Sequence, residues 1–477
     1  MKILLVFPRF KYQNYFSEPL SILYLASVLR KERFNFELLD CTPETKESAY
    51  KKMEDSRPDV LAISVNTVFA EHAKSMSDRF RSLNPKGVVI AGGPHPTIFP
   101  KETLESIADF VVIGEGERTL PDLLKNLKNP EKVNGVAYTK GGKMVITKSR
   151  EPIKDLDDIP FPARDLIPEK YFKYGNAMLI GSRGCPFNCS FCQPTQRRIF
   201  GNAFRQRSPE NMIGELKYAK QVFREKGYEL KSFSLTDDGI TYNKAWLEKF
   251  CNLLIREKMN LPWEGDSRAD TLPDNKLLRL MKMSGCYRIS IGVESGNEYI
   301  RNTILRKALK RESIVDAFKR CHEVGIEPHS FIMVGSPGES KRSIMDTVRL
   351  LDEIKPTSTQ VTVTTPLPGT DLFTYCDEHG IIRVRGWSDY DYYMESHLKL
   401  ENFTDKEIKK LRAMVKFSIQ GRTFFRRYLG IEVKYSSVFR FLRLPFATEA
   451  LMEIEWGTLG GLRRRVQSAL GIKFTGV

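Results

Sequence analysis

The stretch Arg183-Gly-Cys-Pro-Phe-Asn-Cys-Ser-Phe-Cys192 places three thiols at CxxxCxxC spacing on a loop rich in turn-forming residues. It directly follows an apolar run near 177–182 that reads as a strand. Further strand-like runs recur near 231–236, 263–268, 287–293, 329–335 and 359–364, with amphipathic helical stretches in the intervals. Six βα units predict a partial parallel barrel rather than a closed one of eight, with working groups at the carboxyl ends of the strands. The cysteine loop occupies the first of those ends.

Upstream, the pattern is again α/β. Short β-branched runs at 3–6, 36–39, 60–65, 88–91 and 110–113 alternate with helical stretches that include 20–30 and 70–83. Five such strands predict a doubly wound parallel sheet over residues 1–130, whose ligands would sit in the loops at the strands' carboxyl ends. A Gly-Gly turn between 136–139 and 144–147 reads as a hairpin. Pro152, Pro160, Pro162 and Pro168 then punctuate a connector, so 131–172 reads as hairpin and linker. The barrel is expected over 173–374 and a helical, basic region over 375–477.

Composition sets outer bounds. The 477 residues are 41% hydrophobic and 28% charged, a balance suited to a soluble chain of two or three domains. Neither a signal peptide nor a run of 18 apolar residues is seen, so a cytoplasmic location is expected. Eight cysteines are too few for a disulfide framework and point to a reducing compartment. Cys251, Cys286 and Cys321 read as small buried hydrophobes. The net charge is +16, and residues 401–477 hold 15 Lys and Arg against 7 Asp and Glu, so +8 of it is terminal. Such a tail suits an anionic substrate, a membrane surface, a nucleic acid or a solvated face equally well.

Three thiolates can hold three irons of a cubane cluster. No fourth cysteine lies nearby, which would leave one iron open to a small ligand and so to chemistry. Zinc is the competing reading, but it prefers four closed Cys or His ligands, and the nearest histidines, His95 and His322, are remote in sequence.

With this loop the chain resembles the radical S-adenosylmethionine (SAM) superfamily. The resemblance implies a [4Fe–4S] cluster on Cys185, Cys189 and Cys192, with SAM chelated to the open iron and cleaved to a 5′-deoxyadenosyl radical. Further matches fall at successive strand ends. Leu235-Thr-Asp-Asp238 implies that Asp237 and Asp238 lie near the methionyl amine, and Ser267-Arg268 that a polar or cationic pair meets the carboxylate. Ile291-Gly-Val-Glu-Ser-Gly296 puts Glu294 near the ribose or amine, with Ser295 beside it. Phe331-Ile-Met-Val-Gly-Ser-Pro-Gly-Glu339 puts Gly335 beside adenine, and Pro366-Leu-Pro-Gly-Thr370 ends the sixth unit. Phe191 stands where the family lets a backbone group meet adenine.

The first domain resembles the cobalamin-binding domain that precedes the barrel in one branch of that superfamily. Three stretches carry the likeness: Ser64-Val-Asn-Thr67, Gly92-Gly-Pro-His-Pro-Thr97 and Gly114-Glu-Gly-Glu117. The implied cobalamin contacts are Ser64, Asn66, Thr67, Gly92, Gly93, Pro94, His95, Glu115, Gly116 and Glu117. The Asp-x-His-x-x-Gly segment by which some cobalamin proteins ligate cobalt does not occur. His95 therefore reads as a loop residue beside the corrin, and base-off cobalamin without a protein histidine is expected.

The resemblance implies methylation of an unactivated carbon, with radical oxidation, cyclisation or ring contraction as the alternative. The tRNA methylthiotransferases differ at the N-terminus, where three cysteines hold a second cluster and this chain has only Cys41. A non-catalytic cluster or corrinoid carrier fits poorly with an open iron and a full set of SAM motifs. The expected partners are a small-molecule or lipid substrate and an external flavodoxin- or ferredoxin-type electron donor, with no nucleic acid. Phe424-Phe-Arg-Arg-Tyr428, Phe439-Arg-Phe-Leu-Arg-Leu444 and Leu462-Arg-Arg-Arg-Val466 read as a helical cap on the barrel, able also to touch an anionic membrane at its periphery.

Overall fold

The computed structural model describes residues 1–8, 17–192, 199–201, 203–383, 386, 387, 390 and 396–429. The first unit runs β1 (Lys2–Phe7), α1 (Leu20–Lys31), β2 (Asn35–Asp40), α2 (Lys46–Ser56), β3 (Val60–Ser64), α3 (Ala70–Leu83), β4 (Val88–Gly92), α4 (Pro94–Ile98), α5 (Pro100–Ser106), β5 (Phe110–Val112) and α6 (Gly116–Lys125). β1 to β5 are parallel, in the order β2-β1-β3-β4-β5. Helices cover both faces, which is why β1 and β3 are continuous apolar runs and not alternating ones. Strand order reverses between β1 and β3, where doubly wound sheets open a crevice for ligands.

The expected hairpin forms as β6 (Val136–Lys140) and β7 (Lys143–Ile146), but it is not a free linker element. β6 pairs antiparallel with β5 and extends the first sheet to seven strands. Val136 and Tyr138 join the core under α1 and α6, and that burial draws the hairpin onto the sheet edge.

The second unit comprises α7 (Glu169–Tyr174), β8 (Asn176–Leu179), β9 (Ser182–Arg183), β10 (Arg205–Gln206), α8 (Pro209–Glu225), β11 (Ser232–Leu235), α9 (Lys244–Arg256), β12 (Trp263–Ser267), α10 (Asn275–Met283), β13 (Cys286–Glu294), α11 (Arg311–Val324), β14 (Glu327–Val334), α12 (Lys341–Ile354) and β15 (Ser358–Val363). Six parallel strands follow in sequence order from β8 to β15, as an open barrel requires, and β9 and β10 form a short antiparallel ribbon beside them. Side-chain caps start the helices: Ser208, Asn243, Asp274 and Ser340 each accept a backbone N–H of the first turn of α8, α9, α10 and α12.

An open barrel leaves two strand edges with unpaired backbone groups. Side chains take up backbone groups on both. On β8, Glu18 accepts the Met178 N–H at 2.9 Å and Arg164 donates to the Met178 carbonyl. Arg164 is fully buried and also pairs with Glu215 of α8 at 2.7 Å, so one ion group ties the first unit, the connector and the barrel together. On β15, Arg412 donates to the Val361 carbonyl at 2.9 Å. Arg412 belongs to α14 (Asp405–Leu429), which follows α13 (Asp371–Glu378). The basic motifs at 439–444 and 462–466 lie outside the described residues, as do the side chains of 424–428. Among the described residues, no helix is long and apolar enough to cross a membrane.

Candidate functional site

At the carboxyl ends of β1 and β3 a cavity of about 340 Å³ opens between α1 and α6. Its floor is apolar, built from Leu5, Ala62 and Ile90 on the sheet and Leu25 and Leu120 on the helices. Its lip is built from small residues: Ser21, Ser64, Gly92, Gly93, Gly114 and Gly116. The Ser21 and Ser64 hydroxyls stand 3.2 Å apart. Gly93 has φ +100°, and a Cβ there would lie 3.1 Å from the Val65 carbonyl, so only glycine lets the chain turn at this point. An apolar slot behind a lip of small side chains suits the extended tail of a corrinoid.

The far wall of the same cavity comes from the barrel unit, through Ile180, Ser182, Arg183, Thr236, Asp237 and Asp238. The strand-end loops of the two units thus face each other across one space.

Cys185, Cys189 and Cys192 follow β9 at this junction. Cys185 and Cys189 are half-buried and Cys192 is exposed. Tyr242 Oη lies 3.5 Å from Cys185 Sγ. Arg268 Nη1 lies 3.7 Å from Cys189 Sγ, and its guanidinium stacks 3.7 Å from the centre of Phe187. Burial raises the Cys189 thiol, while the charges of Lys307 and Arg268 oppose that rise. Three thiols on one loop, with two cations at hand to offset thiolate charge, suit a cluster anchored at three irons. Among the described residues no three His, Cys, Asp or Glu side chains converge on a single metal ion. The other cysteines, Cys41, Cys251, Cys286, Cys321 and Cys376, are buried.

Around the loop the strand ends of the barrel carry charge. At the end of β13, Glu294 adopts φ +62°, which is costly for a residue with a Cβ, and the register with β14 shifts there. Its carboxylate meets Lys307 Nζ at 2.6 Å in a buried pair, and Lys307 lies 5.8 Å over the Phe191 ring. Arg268 pairs with Asp270 at 2.9 Å and donates to the Lys307 carbonyl at 2.9 Å. Asp237 accepts the Gly181 N–H at 3.0 Å and the Ser182 hydroxyl, so it also braces the strand that leads into the cysteine loop. Ser267 shares a 2.7 Å hydrogen bond with Thr241. Gly335, at φ +81°, donates its N–H to Glu339 at 2.5 Å.

Most of the residues singled out from sequence therefore gather at one junction. Ser64, Asn66, Gly92, Gly93, Pro94, Glu115, Gly116 and Glu117 line the cavity from one side, and Asp237 and Asp238 line it from the other. Three do not belong to the surface expected of them. Thr67 is buried at the start of a short helical turn, away from the cavity wall. His95 is fully buried between Phe99 and Trp387, at ring distances of 5.3 Å from each, so it does not face a ligand in the cavity. Ser295 is fully buried and hydrogen-bonds Thr347 and the Asn297 N–H, which fixes the turn after β13.

Sequence reading missed Ser21, Tyr242 and Lys307. Lys307 stands 13 residues beyond Glu294 among Arg301, Arg306 and Lys310, in a stretch with no motif of its own, so no local signal marks it.

Comparison with known proteins matches residues 14–124 to the B12 binding domain and residues 179–351 to the radical SAM superfamily. Over 443 residues the chain is 28% identical to an uncharacterized methyltransferase of Pyrococcus horikoshii, covering 89% of this chain and 94% of that one. It is 26% identical to the anaerobic magnesium-protoporphyrin IX monomethyl ester cyclase of Rubrivivax gelatinosus, over 69% of this chain and 60% of that one. In fold it resembles the cobalamin-dependent SAM radical enzyme OxsB with aqua-cobalamin bound. The TM-score is 0.73 at 18% identity, covering 100% of this chain and 82% of that one.

Proposed function

Because this chain belongs to the cobalamin-binding branch of the radical SAM superfamily and uses a [4Fe–4S] cluster, SAM and cobalamin, we propose that it transfers a methyl group from SAM to an unactivated carbon of a small-molecule substrate. One observation carries this reading: Ser64 and the Gly92-Gly93 lip share a single cavity with Asp237 and Asp238. Methyl transfer needs the cobalamin and SAM sites to open on one space, and a carrier of either group alone does not. When bound, the cluster with SAM supplies a hydrogen-abstracting radical and the cobalamin a methyl carrier.

In this reading the chain's own side chains orient and shield. Cys185, Cys189 and Cys192 hold the cluster, and Arg268 with Lys307 offsets its thiolate charge. Asp237 and Asp238 take the methionyl amine, Ser267 and Arg268 the carboxylate and Glu294 the ribose. Gly335 and the Phe191 backbone flank adenine. Ser64, Gly92 and Gly93 admit the cobalamin tail, and the buried position of His95 supports a cobalt without a protein imidazole. We assign residues 1–130 to the cobalamin unit, with the hairpin of 131–172 added to its sheet, 173–374 to the barrel and 375–477 to a helical basic region. An external flavodoxin- or ferredoxin-type protein supplies electrons at a cytoplasmic site. The basic C-terminal region provides peripheral contact with an anionic membrane if the substrate is lipid-borne.

The test is product analysis with methyl-labelled SAM, a low-potential reductant and fractionated small-molecule extract. Label in a new product together with released 5′-deoxyadenosine is the expected result. Substrate turnover and 5′-deoxyadenosine without label in the product would replace methylation with radical oxidation or with cyclisation, the latter being the chemistry in the cyclase relative's name.

A further inference from the structure

One guanidinium joins the cluster loop to the last loop of the cobalamin unit. Arg183, two residues before Cys185, donates through Nη1 to Glu115 at 2.7 Å and through Nη2 to Glu117. Both carboxylates stand at the start of α6, and all three side chains are nearly buried. The joint is braced from a second direction. Arg205 faces Arg183 across the β9–β10 ribbon and reaches Glu115 at 3.1 Å, and the Ile153 N–H donates to the same carboxylate at 2.7 Å.

Burial alone would raise the Glu117 carboxyl, but the Arg183 charge and hydrogen bond overcome it and leave Glu117 below its ordinary value. The group is therefore a true ion pair. Removing one member of such a pair leaves a buried charge uncompensated, so the two loops cannot part cheaply. Arg183, Glu115 and Glu117 also line the shared cavity.

We infer that Arg183 is a positioning residue that couples the two cofactor sites, so that filling one strengthens retention at the other. A ligand seated against the Glu115–Glu117 turn fixes the guanidinium and through it the loop that ends in Cys185. A filled cysteine loop fixes the turn in return. Linkage makes the two effects equal in size. The inference rests on the two cofactor sites of the proposed function and not on methyl transfer.

Equilibrium dialysis of hydroxocobalamin against the full-length protein, with and without its reconstituted cluster, reads the coupling directly. The wild type should bind about tenfold tighter when cluster-loaded, in the usual range for linked sites. Arg183→Met should bring that ratio near one, and Arg183→Lys should keep part of it, since lysine keeps the charge but loses the fork. Should Arg183→Met fail to fold, Glu117→Gln keeps volume and the Glu115 contact and should still lower the ratio clearly. A tenfold ratio that persists in the folded variants overturns the inference, as does a wild-type ratio of one. A wild type that takes up no cobalamin in either state overturns the proposed function and the coupling with it.

Discussion

The two sides of the shared cavity recognise by different physics. On the cobalamin side the wall is apolar floor and small-residue lip, and its two carboxylates, Glu115 and Glu117, are taken up by Arg183. On the barrel side Asp237 and Asp238 line the wall, and around the cysteine loop Arg268 pairs with Asp270 and Lys307 with Glu294. The first side selects by shape and is vulnerable to added volume. The second selects by charge, so isosteric neutral substitutions harm it most.

The sharpest break of that contrast is at the cluster loop. Cys185→Ala, Cys189→Ala or Cys192→Ala should each remove most of the bound iron and abolish SAM cleavage while the apolar slot stays intact. Iron analysis and a deoxyadenosine assay check this, and Cys41→Ser or Cys376→Ser, at buried sites, should leave iron at the wild-type level.

Next in size is Ser64→Leu, which pushes a branched side chain into the lip. Overpacking costs about 1–3 kcal/mol, which corresponds to roughly 5- to 150-fold in cobalamin affinity. Iron content should not change, and an unaltered affinity in dialysis would contradict selection by shape. On the charged side, Lys307→Met keeps length but strands the Glu294 carboxylate. SAM affinity should fall about tenfold, the effect of losing one charge-assisted hydrogen bond, with no change in cobalamin uptake.

The smallest effect concerns His95. Burial lowers it to about 4 from an ordinary 6.5, so it is neutral in the folded chain. An unfolded chain takes up a proton below pH 6.5 that the folded one refuses until about 4. Stability from this group is therefore complete above 6.5 and is lost as pH falls through that window, by about 1 kcal/mol between pH 7 and 5.5. His95→Phe should flatten that part of the denaturation profile, and an unchanged slope would show that the ring is protonated in place.

The strands and the cysteine loop were legible because their signals are local. The apolar runs of β1, β3 and β4 need only the period of their own residues, and CxxxCxxC carries its meaning in its spacing. What stayed hidden depends on contacts distant in sequence. His95 stood in a glycine turn that invited a ligand role, and only Trp387, nearly three hundred residues on, turns it into core. The hairpin read correctly as a hairpin, but its burial against β5 cannot be seen from its own alternation. Lys307 has no motif, and its role comes from the bulge that aims Glu294 at it. Glu115 and Glu117 were read for their helix start, and nothing in that reading shows that Arg183 takes up both carboxylates.

The central claim is that the SAM and cobalamin sites open on one space, which brings the cluster near the cobalt, and electron paramagnetic resonance of the doubly loaded protein tests it most directly. With the cluster reduced and the cobalt as Co(II), the two unpaired spins should broaden each other's lines and speed each other's relaxation. Cys189→Ala, lacking the cluster, should return the Co(II) spectrum to that of an isolated centre. Two independent, unperturbed spectra from the doubly loaded wild type would contradict the shared space.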